Sequence, residues 1–112
     1  MGMMQSLVER YKQCMEELQD AQKYLRLARK NWNDEDRDMF LSLADQEIGH
    51  YEVLRRSGEN MLKRGSDSST TDDLSAFREA WDALMSTSSQ WANEIKENIA
   101  KVRSAPRKMT EG

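Results

Sequence analysis

FLSLADQEIGHYEVL, residues 40–54, combines an apolar helical repeat with two polar residues that interrupt it. At about 100° per residue, Phe40 and Leu54 fall on either side of Glu47, so the carboxylate occupies the middle of the predicted apolar face. His50 lies about 60° further round the same helix. Both side chains are therefore predicted to project into the interior, where an unpaired carboxylate costs on the order of several kcal/mol in lost hydration.

The same periodicity continues on both sides of this stretch and predicts three long helices. Apolar residues alternate at spacings of four and three along residues 7–31, which predicts the first helix. Asn33 is a good helix cap and the acidic residues after it favour a helix start, so the second helix is predicted over 34–64. A polar loop rich in Ser, Thr and Asp precedes the third predicted helix over 72–103, and a flexible tail is predicted over 104–112.

These elements predict an all-α fold in a single helical domain that covers residues 1–112. The short link between the first two helices predicts an antiparallel helical hairpin, to which the third long helix is added. Two architectures agree with this pattern. Three helices can close as a bundle within one chain, or the hairpin can become half of a four-helix bundle that dimerisation completes.

Composition excludes several classes of function. The net charge is −3 and the basic residues are dispersed among acids, so we expect no nucleic-acid partner. No run of eighteen apolar residues and no signal-peptide pattern occur, so we expect no membrane span and a cytoplasmic location. Cys14 is the only cysteine. It cannot form an internal disulfide, and its position on the apolar stripe predicts a small buried side chain.

An acid and an imidazole in an apolar interior need a compensating charge. Among the acids of the first helix only Glu17 borders the apolar stripe, whereas Glu9 and Glu16 point outward. Two carboxylates and an imidazole that converge in a helical bundle suit iron, manganese or zinc. The alternative is a structural polar cluster, in which His50 hydrogen-bonds to a carboxylate or to a tyrosine.

Five residues together resemble the metal-binding pattern of the ferritin-like proteins, within them the rubrerythrin-like type: Glu17, Tyr24, Ala44, Glu47 and His50. That family has a glutamate on its first helix, a tyrosine seven residues later, and an Ala-x-x-Glu-x-x-His run on its second. The resemblance covers about residues 7–64. It implies that Glu17 and Glu47 are carboxylate ligands and that His50 is the imidazole ligand of an iron site with two ions, manganese and zinc being alternatives.

One chain contains half of such a site, because the glutamates of the third helix, Glu79, Glu94 and Glu97, lie well off its apolar stripe and no second histidine exists. We therefore expect a homodimer or a higher even oligomer that pools the three ligands of each copy. The encapsulated ferritins, which the pattern also resembles, assemble their site between subunits. The resemblance implies iron oxidation and storage, or reduction of oxygen or peroxide, with a ferroxidase or peroxidase-type activity left open. The other class of function left open is a metal-free protein-interaction module that resembles a spectrin-type three-helix unit.

Overall fold

The computed structural model describes residues 2–30, 33–65 and 71–105, and in the last segment it describes side chains from Leu74 onward. These residues form three α-helices: α1 (Met3–Lys30), α2 (Asp34–Gly65) and α3 (Thr71–Ser104). The predicted all-α class is confirmed, and no strand occurs in the described segments. None of the described helices has an apolar stretch long enough to cross a lipid bilayer.

The predicted boundaries agree closely with the helices. The largest difference is at the start of α1, which begins at Met3 instead of residue 7. The predicted cap of α2 is confirmed, because Oδ1 of Asn33 accepts a hydrogen bond of 2.8 Å from the backbone N–H of Glu35. Ser104, assigned to the tail, ends α3 instead. Ala105 of the predicted tail is described and follows the helix directly, whereas residue 31 and residues 106–112 lie outside the described residues.

Contacts between the helices give their relative directions. Arg10 of α1 donates a hydrogen bond to Ser57 of α2, and Tyr24 stacks on Phe40, so the first two helices run antiparallel as predicted. Three ion pairs join α2 to α3 and give the same antiparallel relation: Asp45–Arg103, Glu52–Lys96 and Glu59–Arg78. The third helix therefore packs along the hairpin of its own chain. Completion of a four-helix bundle by a second chain stays a prediction.

Apolar side chains from all three helices form one core. Its largest fully buried members include Trp81 of α3 and Tyr51 of α2. Trp81 lies against Gly58, where a Cβ atom would overlap its six-membered ring, so this glycine allows α2 and α3 to approach closely. The Tyr51 hydroxyl is hydrogen-bonded to the Ser88 hydroxyl at 2.9 Å, which satisfies both polar groups inside the core.

The buried face of α2 is rotated from its predicted position. Its centre lies near Ala44 and Tyr51, about 60° round the helix from Glu47, and the predicted face did not include Leu41 and Ile48, which are buried. The reason is the position of α3, which covers the flank of α2 that carries Leu41 and Ile48. The apolar residues on the opposite flank are only half-buried: Phe40, Leu43, Leu54 and Met61.

Candidate metal centre

The three predicted ligands lie together at the contact between α1 and α2. The Nδ1 atom of His50 lies 3.3 Å from Oε1 of Glu47 and 3.4 Å from Oε2 of Glu17. One ligand atom from each residue lies within 4.8 Å of the other two. Glu17 contributes from α1, whereas Glu47 and His50 are three residues apart on α2, a spacing that places both side chains on the same side of a helix.

Three consecutive residues of α2 show which side of the molecule carries this cluster. Tyr51 points into the core and bonds to Ser88, and Glu52 pairs with Lys96 of α3. His50 precedes Tyr51, so its side chain projects about 100° to the other side of Tyr51 from Glu52. The cluster therefore lies on the flank of the α1–α2 pair away from α3.

Burial differs strongly among the three side chains. The exposed fraction is 17% for Glu47, 25% for Glu17 and 60% for His50. The prediction that His50 projects into the interior is wrong, because this flank of α2 is not covered by α3. The two carboxylates lie mostly beneath the surface, and the imidazole stands at the rim, so the cluster opens outward from the bundle.

Oε2 of Glu17 is the least satisfied atom of the cluster. It has almost no exposed surface and no hydrogen-bond partner. An unpaired buried carboxylate oxygen costs about 1–3 kcal/mol or more in lost hydration. The imidazole at 3.4 Å does not remove this cost, because charge-assisted N–H···O hydrogen bonds are typically about 2.7–2.9 Å long. The atom therefore has no hydrogen-bond partner, and the one cation-forming group beside it, the His50 imidazole at 3.4 Å, is charged only when it is protonated.

The Glu17 carboxylate also perturbs the proton affinity of Glu47. The pKa of Glu47 is raised, first because a protonated Glu47 hydrogen-bonds to the Glu17 carboxylate, and then because of burial and repulsion by the Glu17 charge. His50 acts in the opposite direction on the same carboxyl group. Glu47 thus binds a proton more tightly than an ordinary glutamate, which is a second sign that the cluster carries excess negative charge.

The residues present fit a transition-metal cation. Two carboxylate oxygens and one imidazole nitrogen are the donor types that iron, manganese and zinc accept. Ligands about 2.1 Å from a tetrahedral ion lie about 3.4 Å from one another. The separations of His50 Nδ1 from the two carboxylates are 3.3 and 3.4 Å. Three donors from one chain would also leave further coordination positions on the solvent side.

Other chemistry-bearing side chains near the cluster have packing roles. Cys14 is buried, as predicted, and burial raises the pKa of its thiol to about 11, so the thiol is protonated at neutral pH. Tyr24 is the tyrosine of the ferritin-like pattern that the sequence resembles. Its ring stacks on Phe40 with ring centroids 6.5 Å apart. Tyr51 directs its hydroxyl towards α3.

No other set of potential ligands comes together in the part of the chain that the structure describes. Glu79, Glu94 and Glu97 of α3 are exposed and are not part of the cluster. The cluster of Glu17, Glu47 and His50 is therefore the one candidate metal centre of the described segments. Comparisons of this chain with protein-family models, with curated proteins and with solved structures found no match.

Proposed function

We propose that this chain is a ferritin-like metal-binding protein in which Glu17, Glu47 and His50 bind iron. Two copies pool these residues, and the resulting site holds two ions between two subunits. The observation that carries the proposal is the buried Oε2 of Glu17, which has no hydrogen-bond partner and lies beside two further donors suited to a metal. A cation would satisfy this oxygen and offset the repulsion between the two carboxylates.

The chemistry that such a site supplies is oxidation of ferrous iron, for storage, or reduction of oxygen or peroxide. The residues of the chain would contribute in different ways. Glu17 and Glu47 supply negative charge from a mostly buried position, where it is weakly screened. His50 supplies a neutral nitrogen at the rim, where small reactants have access from solvent. Manganese and zinc are the alternative ions for the same donors.

A metal-free interaction module is the second candidate function. One observation in its favour is that the three helices already share a core within one chain. The other is that His50 lies close to both carboxylates, where a protonated imidazole would offset part of their charge. In this case the helical surfaces bind another protein, and the cluster contributes to local structure. The two candidates differ in whether metal content depends on the cluster.

Metal content of the purified protein is the direct test. Protein without a histidine tag, from iron-replete cells, is expected to contain about one iron per chain, measured by mass spectrometry of the metal. Glu47→Ala should lose this iron. Glu52→Ala is the matched control, because Glu52 is an acid of the same helix that pairs with Lys96 outside the cluster. Wild-type protein that contains no iron, and whose thermal unfolding does not respond to chelator, would support the interaction module instead.

A further inference from the structure

α1 contacts its two neighbours through different flanks. Glu17 faces α2, where it lies beside His50. Tyr11 and Met15 lie about 120° and 160° round α1 from Glu17, across the buried stripe that includes Cys14. Because the three helices share one core, this second flank of α1 is the one beside α3.

α3 also contacts its two neighbours through different flanks. Lys96 forms an ion pair with α2, whereas Leu84 and Trp91 lie about 120° and 140° round α3 from Lys96. Leu84 and Trp91 therefore face α1. Together with Tyr11 and Met15 they line the contact between the two helices, which we call the α1–α3 seam. All four side chains are half-buried against the core.

The α1–α3 seam is apolar at one end and basic at the other. At the apolar end it continues to Met4 and Val8, whose exposed fractions are 39% and 38%. Arg26 lies in line with Val8 about five helical turns further along α1, and Arg29 follows it on the same flank. From Met4 to Arg29 the seam is about 38 Å long, so a single helix of about 25 residues would span it.

Negative charge on α1 is kept away from the seam. Its other acids lie within about 100° of Glu17, in the direction away from Tyr11: Glu9, Glu16 and Asp20. On α3, one acid among the described side chains, Glu94, lies within about 60° of Trp91. The seam therefore carries more positive than negative charge, in contrast to the net charge of −3 of the whole chain.

The basic residues at this end of the seam have no partner among the described residues. Arg26 and Arg29 of α1 are exposed, as is Lys101 of α3, which borders the seam. None of the three forms an ion pair or a hydrogen bond with a described residue. Their charges are therefore available to an acidic partner, for which they would add selectivity and speed of association, while the apolar contacts supply most of the affinity.

We infer that the α1–α3 seam is the docking surface for an amphipathic helix of another protein, whose apolar stripe lies on Leu84 and Trp91 and whose acidic end lies beside Arg26 and Arg29. A groove between two helices binds a further helix through apolar residues spaced three and four apart. Leu84 and Trp91 are half-buried between two helices, so they suit a helix that enters a groove better than a lipid surface, into which apolar side chains must project. The seam and the candidate metal centre lie on different flanks of α1, so the inference does not depend on iron binding.

Selection from a library of displayed helical peptides, with the full chain in EDTA as the target, tests this inference. The peptides are about 25 residues long. They carry Leu, Ile, Met or Ala along the stripe and Glu, Lys or Gln beside it. We expect the selected peptides to carry Glu instead of Lys at one end. Fluorescence anisotropy of a selected peptide should show binding at least tenfold weaker to Arg26→Glu and at least fivefold weaker to Val8→Lys, with circular dichroism confirming that both variants are folded.

Two substitutions on the outer side of α2 are matched controls. Arg56→Glu and Val53→Lys make the same chemical changes at exposed residues that lie about 140° and 160° round α2 from buried Tyr51. Peptide binding to both variants should equal binding to the wild type.

Several results would overturn the inference. They are the absence of any selected peptide, selection of Lys instead of Glu, and equal binding of the peptide to wild type, Arg26→Glu and Val8→Lys. Vesicles of phosphatidylserine and phosphatidylcholine that bind the wild type and not Arg26→Glu, in the absence of a peptide binder, would assign the seam to a membrane surface instead. Self-association in sedimentation that Val8→Lys abolishes would assign it to a second copy of the chain.

Discussion

Oε2 of Glu17 lies 3.4 Å from Nδ1 of His50, which is close enough for one ion to touch both atoms and too far for a strong hydrogen bond between them. The two residues come from different helices, so the antiparallel packing of α1 on α2 creates their proximity. The oxygen is buried and the imidazole is mostly exposed. A cation could therefore reach the carboxylate from solvent by passing the imidazole.

Neighbouring substitutions in α2 should separate metal binding from stability. His50→Ala is expected to weaken Mn²⁺ binding at least tenfold, because it removes the nitrogen ligand. It should change the free energy of unfolding of metal-free protein by less than about 1 kcal/mol, since the side chain is mostly exposed. Calorimetric titration and urea unfolding in EDTA measure the two effects.

Tyr51→Phe should show the opposite behaviour. It removes the hydroxyl that bonds to buried Ser88, which is expected to cost about 0.5–1.5 kcal/mol of stability. Mn²⁺ affinity should stay at the wild-type value, because this hydroxyl points towards α3. A loss of Mn²⁺ binding in Tyr51→Phe, at a temperature where the variant is folded, would show that the core side of α2 takes part in the site.

Glu47→Gln should stabilise the metal-free protein at neutral pH. The pKa of Glu47 is raised in the folded state, so ionisation of this carboxyl group lowers stability as the pH rises through the raised pKa. Glutamine resembles the protonated form and avoids this loss, with a gain on the order of 1 kcal/mol for relief of a close like-charge pair. Urea unfolding in EDTA should show the gain at pH 7. At a pH low enough to protonate Glu47 in both states, the two proteins should be equally stable.

The raised pKa of Glu47 also predicts how metal affinity depends on pH. A cation and a proton compete for the Glu47 carboxylate, so affinity should fall as the pH is lowered towards and below the raised pKa of Glu47. Binding should release protons, which calorimetry in buffers of different ionisation enthalpy detects. Glu52→Ala should retain the wild-type pH dependence, since Glu52 pairs with Lys96 outside the site. An affinity that stays constant as the pH is lowered until the protein unfolds would contradict a carboxylate site.

Much of the fold could be predicted because it depends on local properties. The four-three spacing of apolar residues predicts helices of about the observed length, and the Asn33 side chain caps α2 through a hydrogen bond within its own segment. The short link then requires an antiparallel hairpin. The rotation of the buried face of α2 could not be predicted in this way, because burial of Leu41 and Ile48 depends on which flank α3 covers.

The site shows the same division between local and tertiary information. Glu47 and His50 could be paired from their spacing on one helix, and Glu17 from its place beside the apolar stripe of another. Their exposure could not be predicted, since both flanks of α2 carry apolar residues and only one is covered in the chain. The two carboxylates are only partly buried, although the sequence placed Glu47 at the centre of the apolar face, and His50 lies at the surface.

Two glycines of α2 give a last prediction, which tests how α3 packs. Gly49→Ala should stabilise the protein by about 0.5–1 kcal/mol, because the added methyl group meets no neighbouring atom and alanine favours the helix. Gly58→Ala makes the same chemical change in the same helix, but its methyl group would overlap the ring of Trp81. We expect it to destabilise by about 1–3 kcal/mol through overpacking. Urea unfolding in EDTA compares the two variants. If both substitutions stabilised the protein, Trp81 would not lie against Gly58 in solution, and α3 would not be held on the flank of α2 that leaves the metal ligands uncovered.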